Sequence, residues 1–254
     1  MARHPAAEPR ANRLLGLLAP RDYERLRPHL EPITLTYRQS LYRAHRPISF
    51  VYFIESGVGS LVNTLANGDA AEVGTIGNEG VVGLPLVFGD DRAPTGVYVQ
   101  VPGAGLRMPA ARFTAELTRS ASTRAVILRY AHAFFNQVAQ SAACNHFHSL
   151  EQRCCRWLLM THDRMQSDAF LLTQEFLAMM LGVQRTGVTV AASALQRAGL
   201  ILSPEHHAIH HASPQDKSYC ITVGWMNPLL DKISFFRTCE AMIKRVLPSA
   251  IRPG

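Results

Sequence analysis

No stretch of the 254 residues approaches the roughly eighteen consecutive apolar residues that a membrane-spanning helix needs. Cysteine is scarce: five residues, an odd count, with none before Cys144. That excludes a disulfide framework and fits reduced thiols in the cytosol. The start of the chain, MARHPAAEPRANR, is basic but is followed by no apolar core of signal-peptide length, so a cytoplasmic protein that makes no use of a membrane is expected. HExxH, GxSxG and P-loop patterns are absent, and the histidines have no carboxylates at ligand spacing. An enzyme is therefore not expected, nor is a cofactor or a bound metal. Acidic residues are outnumbered, 19 against 26 basic ones, for a formal charge of +7. That balance is compatible with a nucleic-acid partner.

What is present is most specific between Leu171 and Ile201, LLTQEFLAMMLGVQRTGVTVAASALQRAGLI. Thr173 can cap a helix through its hydroxyl, and Glu175 suits the first turn. Apolar residues follow at helical spacing, Phe176, Leu177, Met180 and Leu181, until Gly182 stops the helix with a positive φ. A second helix is predicted over 184–197, burying Val188, Ala191, Ala192 and Leu195. Its other side carries Thr186, Thr189, Ser193 and Arg197, with Arg185 at the margin and no acid. This is a helix-turn-helix reading with double-stranded DNA as partner. Arg185 could take a guanine edge, Gln184 and Thr186 could meet bases or phosphates, and Gln174 and the amides near Thr173 could hold a phosphate. HHAIHH at 206–211 and SYCITV at 218–223 are candidate arms of a wing, and MNPLLDKISFFRTCEAMIKRVL reads as a C-terminal amphipathic helix.

Earlier in the chain the pattern changes. ITLTY, FVYFI, VGSLVNTL, AEVGTI and GVYVQV alternate with glycine turns, and Asn67–Gly68 is a hairpin signal. The spacing predicts an all-β roll or barrel. A long helix is then predicted over 122–150, which lacks glycine and proline. Ile127, Ala131, Phe134 and Val138 fall at alternating spacings of four and three, the seam of a coiled coil, and so predict a homodimer. A twofold dimer would present two recognition helices to a near-palindromic site.

On these motifs the chain resembles the Crp–Fnr family of bacterial transcription regulators. The resemblance implies an α+β chain: an N-terminal, jelly-roll-like β-roll sensor domain of cyclic-nucleotide-binding type with its long dimerisation helix over 12–148, then a winged helix-turn-helix domain over 149–254. It implies sequence-specific transcription regulation, with RNA polymerase as a further partner. Gln184, Arg185 and Thr186 match the polar start of the family's recognition helix, although Thr186 stands where the family usually has an acid and Gly187 where it commonly has a threonine. The phosphate cassette is degenerate. Gly83 is followed by Leu84 rather than glutamate, and Pro94–Thr95 falls where arginine–serine is usual. Glu79, Gly83, Leu84, Arg92 and Thr95 are the candidate effector pocket, but tight cyclic-nucleotide binding is not expected. The absence of an N-terminal cysteine cluster excludes the iron–sulfur centre that some family members carry.

Two groups leave an alternative open, a dimeric signalling protein that senses metal or redox state and keeps a vestigial helix-turn-helix. Cys154 and Cys155 point about 100° apart on a helix, which disfavours a disulfide and suits buried apolar residues. His206, His207, His210 and His211 form HHxxHH; such imidazoles can bind a transition metal, or can sit exposed on a wing near phosphates.

Overall fold

The computed structural model describes residues 10–165 and 172–197. By internal contacts the chain divides into two compact units, Met1–Ala191 and Ala192–Gly254. The expected wing and C-terminal helix lie outside the described residues.

The first unit opens with α1 (Arg13–Gly16) and α2 (Pro20–Leu26). Asn12 anchors this start. Its Oδ1 accepts from Leu15 N at 2.9 Å, and its Nδ2 donates to Ile54 O and Gly80 O at 2.7 and 2.9 Å. A fully buried amide is tolerated because each of these groups is satisfied.

Six strands follow: β1 (Glu31–Leu35), β2 (Ser40–Tyr42), β3 (Phe50–Thr64), β4 (Ala70–Ile76), β5 (Val81–Val82) and β6 (Thr95–Pro109). They form one antiparallel sheet in the order β1-β6-β3-β4, with β2 against β6 and β5 against β3. FVYFI and VGSLVNTL, read as separate runs, are one strand. Gly57 bridges them at φ 85, where a Cβ would lie 2.5 Å from Val101 O, and the register against β6 slips on either side of Ser56. Only glycine fits this bulge. Asn67–Gly68 closes the β3–β4 hairpin, with Gly68 at φ 91 donating to Leu65 O at 2.9 Å.

The core lies between this sheet and the helices α3 (Ala110–Arg119) and α4 (Ala121–Phe147). Phe53 and Phe113, almost fully buried, meet edge to face with centroids 6.3 Å apart. α4 starts at a Ser120 cap and stops where His148 turns extended, at φ −99 and ψ 146. Ser149 then caps α5 (Leu150–His162) in a reciprocal capping box with Gln152. α5 docks on the sheet through polar groups. Trp157 Nε1 donates to Glu72 Oε1 at 2.9 Å; Ser60 Oγ donates to Gln100 Oε1 at 2.6 Å, and Gln100 Nε2 donates to Thr161 Oγ1 at 3.1 Å. Burial pushes the Glu72 carboxyl up to about 8, against weaker pulls from Ser60, Trp157 and the Arg164 and Arg156 guanidinium groups.

Two further helices are α6 (Gln174–Leu181) and α7 (Arg185–Arg197). The architecture is thus α+β. No helix among the described residues is long and apolar enough to cross a membrane.

Candidate functional site

Thr173 caps α6, its hydroxyl accepting from Phe176 N at 3.1 Å, and Gly182 ends the helix at φ 62. Phe176 is buried with its ring 5.7 Å from Tyr37, so α6 packs on the β-roll of its own unit. Arg153 donates to Leu181 O, closing the C-terminal end. On α7, Val188, Ala191 and Leu195 are buried, while Ala192 is half-buried. Gln184, Arg185, Thr186, Thr189, Ser193 and Arg197 are exposed.

Two of the residues expected to meet DNA also meet each other: Thr189 Oγ1 lies 2.8 Å from Gln174 Oε1 and 3.1 Å from Arg185 O. Val190, 62% exposed, lies beside Arg197 at the edge of the polar arc. Counting only the polar positions of the helical wheel left it out.

The residues expected to form a dimer seam are otherwise engaged. Ile127 and Ala131 are buried in the protein's own core, and the Phe134 ring packs against Tyr130 at 6.1 Å. Val138 lines a cavity of the β-roll. The four-and-three spacing marked a buried face correctly but not what covers it; the cover is this chain's own β-roll. A different row, Leu128, His132, Phe135, Ala139 and Ala142, repeats the same spacing and is exposed.

Of the candidate effector residues, Gly83, Leu84, Arg92 and Thr95 line a cavity of about 390 Å³ between the roll and α4. Its other walls, including Tyr42, Ile76, Phe88 and Phe135, are mostly apolar. Arg92 is spent partly on Asp91, 3.6 Å away, and Asp90 stands beside it. That wall offers a phosphate little net positive charge. Glu79 lies elsewhere. It bridges Arg164 Nε at 2.7 Å at a second cavity, a pairing across 85 residues that no local motif announces.

Cys154 and Cys155 are poor redox groups. Cys154 is fully buried, and burial, with smaller contributions from Cys155 and Glu151, pushes its thiol up to about 11. Cys155 is also raised by burial. The reactive thiolate is scarce at neutral pH in both. Among the described residues, no group of three or more His, Cys, Asp or Glu could hold a metal. The 206–211 histidines lie outside them.

Comparison with known proteins decides between the readings. The model of the lipid desaturase domain family matches residues 116–252, more than half of the chain. The chain belongs to that family. A plasmanylethanolamine desaturase from Myxococcus xanthus is 59% identical over 49 residues, covering 19% of this chain and 17% of that protein. Plasmanylethanolamine desaturase 1 of Mus musculus is 40% identical over 58 residues, 23% of this chain and 21% of its own length. The chain therefore spans only about a fifth of these curated relatives. The fold of the described residues has a different likeness: a transcriptional regulator of the Crp/Fnr family from Eubacterium rectale superposes with a TM-score of 0.61 at 14% identity, covering 76% of this chain and 90% of that one. That likeness establishes the β-roll fold of cyclic-nucleotide-binding type.

The expectation of a DNA-binding transcription regulator without enzymatic activity is overturned by the desaturase family match and these relatives. The resemblance that prompted it rested on fold motifs, and a shared fold does not carry a function with it.

Proposed function

We propose that this chain acts in lipid desaturation and that its chemistry belongs to the C-terminal unit, Ala192–Gly254, with the β-roll as a supporting frame. The observation that carries the reading is the desaturase family match through residue 252 together with 59% identity to a plasmanylethanolamine desaturase. Three facts support assigning the chemistry to that unit. The shared stretches are 49 and 58 residues long, a length the unit can hold. Four of the chain's 11 histidines fall within 206–211, inside the matched range. The residues from 116 to 191 meanwhile contain the end of α3, α4 to α6 and the start of α7, which belong to the first unit.

Removing two hydrogens from an unactivated carbon pair needs an oxidising centre, which amino-acid side chains alone do not supply. Histidine imidazoles are the ligands in this sequence best suited to hold a transition metal for that purpose. His206, His207, His210 and His211 are assigned that role.

The test is conversion of plasmanylethanolamine in membrane vesicles supplied with oxygen and a reductant, read by mass spectrometry as loss of two hydrogens per lipid. The full chain is expected to convert the lipid and to carry transition metal. Absence of product from a metal-loaded protein would overturn the reading.

A homodimer is supported by the exposed row on α4, Leu128, His132, Phe135, Ala139 and Ala142, whose heptad spacing suits a helix pair. Phe135, 67% exposed, is its largest apolar member. Phe135→Glu is expected to shift the sedimentation coefficient from dimer to monomer, and a wild-type monomer would contradict the pairing.

A further inference from the structure

A second cavity, which shares only Phe134 with the β-roll pocket, lies between α1, the turn carrying Glu79, and α4. It encloses about 610 Å³, within the roughly 300–1,000 Å³ typical of small-molecule sites. Leu14, Leu17, Val126, Ala133 and Phe134 give it a mostly apolar wall. Leu17 is 69% exposed at its rim, an apolar side chain left in water.

The polar groups are gathered on one side. Arg164 is fully engaged: Nε donates to Glu79 Oε1 at 2.7 Å, Nη2 to Gln137 Oε1 at 2.8 Å and Nη1 to Met160 O at 2.7 Å. Glu79 is thereby neutralised. Arg129, exposed and also lining the cavity, has no acidic partner among the described residues. The site thus joins an apolar wall to one uncompensated positive charge. A neutral apolar ligand would leave Arg129 unused, and a dianion such as a phosphate monoester would exceed it.

We propose that this cavity binds an amphipathic monoanion, a carboxylate on an acyl chain, with the chain along Leu14, Leu17 and Phe134 and the carboxylate at Arg129. An arginine–carboxylate contact supplies direction, and the apolar wall supplies most of the affinity. This site is independent of the desaturase reading, since every residue in it belongs to the first unit.

The experiment is calorimetric titration of the full-length protein with decanoate and with decan-1-ol, which share a chain and differ in the head group. Decanoate is expected to saturate one site per chain with a dissociation constant on the order of 100 µM, and decan-1-ol to bind about tenfold more weakly. Arg129→Ala, an exposed position that leaves the core intact, is expected to erase the difference between the two. Leu17→Glu is expected to weaken both. No saturable decanoate binding at millimolar concentration would overturn the proposal. So would binding unchanged in Arg129→Ala and Leu17→Glu but lost in Phe88→Glu, which would place the ligand in the β-roll cavity instead.

Discussion

The β-roll and the histidine stretch at 206–211 differ in what a substitution can damage. The roll is held by apolar side chains that bury one another: Val51, Phe53, Val81, Met108 and Phe113 are all at most 1% exposed. Changing any of them costs stability throughout the unit. The histidines are polar, clustered within six positions, and sit in the part of the chain that the desaturase family shares. Changing them should cost chemistry and leave the roll standing. The two kinds of likeness also speak for different relatives. The roll resembles regulators at 14% identity, which speaks only to the fold, while the family match and the curated relatives speak to desaturation. A shared fold and a shared sequence family can thus point to different relatives of one chain.

That contrast can be sharpened by substitution. The largest expected effect is on metal: His206→Ala/His210→Ala should remove most transition metal, roughly a hundredfold in affinity or more, with the far-ultraviolet circular dichroism unchanged. Loss of fold in this variant would show that the histidines are structural parts of the same unit as the roll. Next is the core. Phe53→Ala removes a fully buried ring packed on Phe113 and should destabilise the first unit by about 3–5 kcal/mol in urea unfolding, without altering metal content.

A smaller effect depends on pH. The folded carboxyl of Glu72 titrates near 8, well above its ordinary value of 4.5. The unfolded chain therefore releases this proton first, and the stability tied to the protonated form is complete below about pH 4.5 and is lost as pH rises toward 8. Glu72→Gln keeps an acceptor for Trp157 and cannot ionise. Its melting temperature should match wild type at pH 4 and exceed it by several degrees at pH 8.5. A constant difference across pH would show that Glu72 does not titrate there. The smallest effect is at a helix end: Thr173→Ala removes the cap of α6 and should cost about 1 kcal/mol.

Local chemistry made much of the fold legible. Thr173, Gly182 and the apolar spacing around them signalled α6 and α7 because caps, positive-φ glycines and helical periodicity act within a few residues. The Asn67–Gly68 hairpin was readable for the same reason. Long-range features were not. The Glu79–Arg164 bridge joins residues 85 apart, and the cavity beside it leaves no trace in any single segment. The seam through Ile127 and Ala131 was misassigned because periodicity reports that a face is buried, not by what. HHxxHH was weighed as a metal site but set against a wing strand. The helix-turn-helix before it gave that wing its plausibility, and no neighbouring carboxylate pointed the other way.

Reactivity is proposed to reside at the C-terminal histidines and not on the α7 surface. That assignment is tested most directly by measuring plasmanylethanolamine conversion, by mass spectrometry, for wild type, His206→Ala/His210→Ala and Arg185→Ala side by side. Product is expected from wild type and from Arg185→Ala in similar amounts, and none from the histidine variant. Product that persists without the histidines, or that vanishes with Arg185, would contradict it.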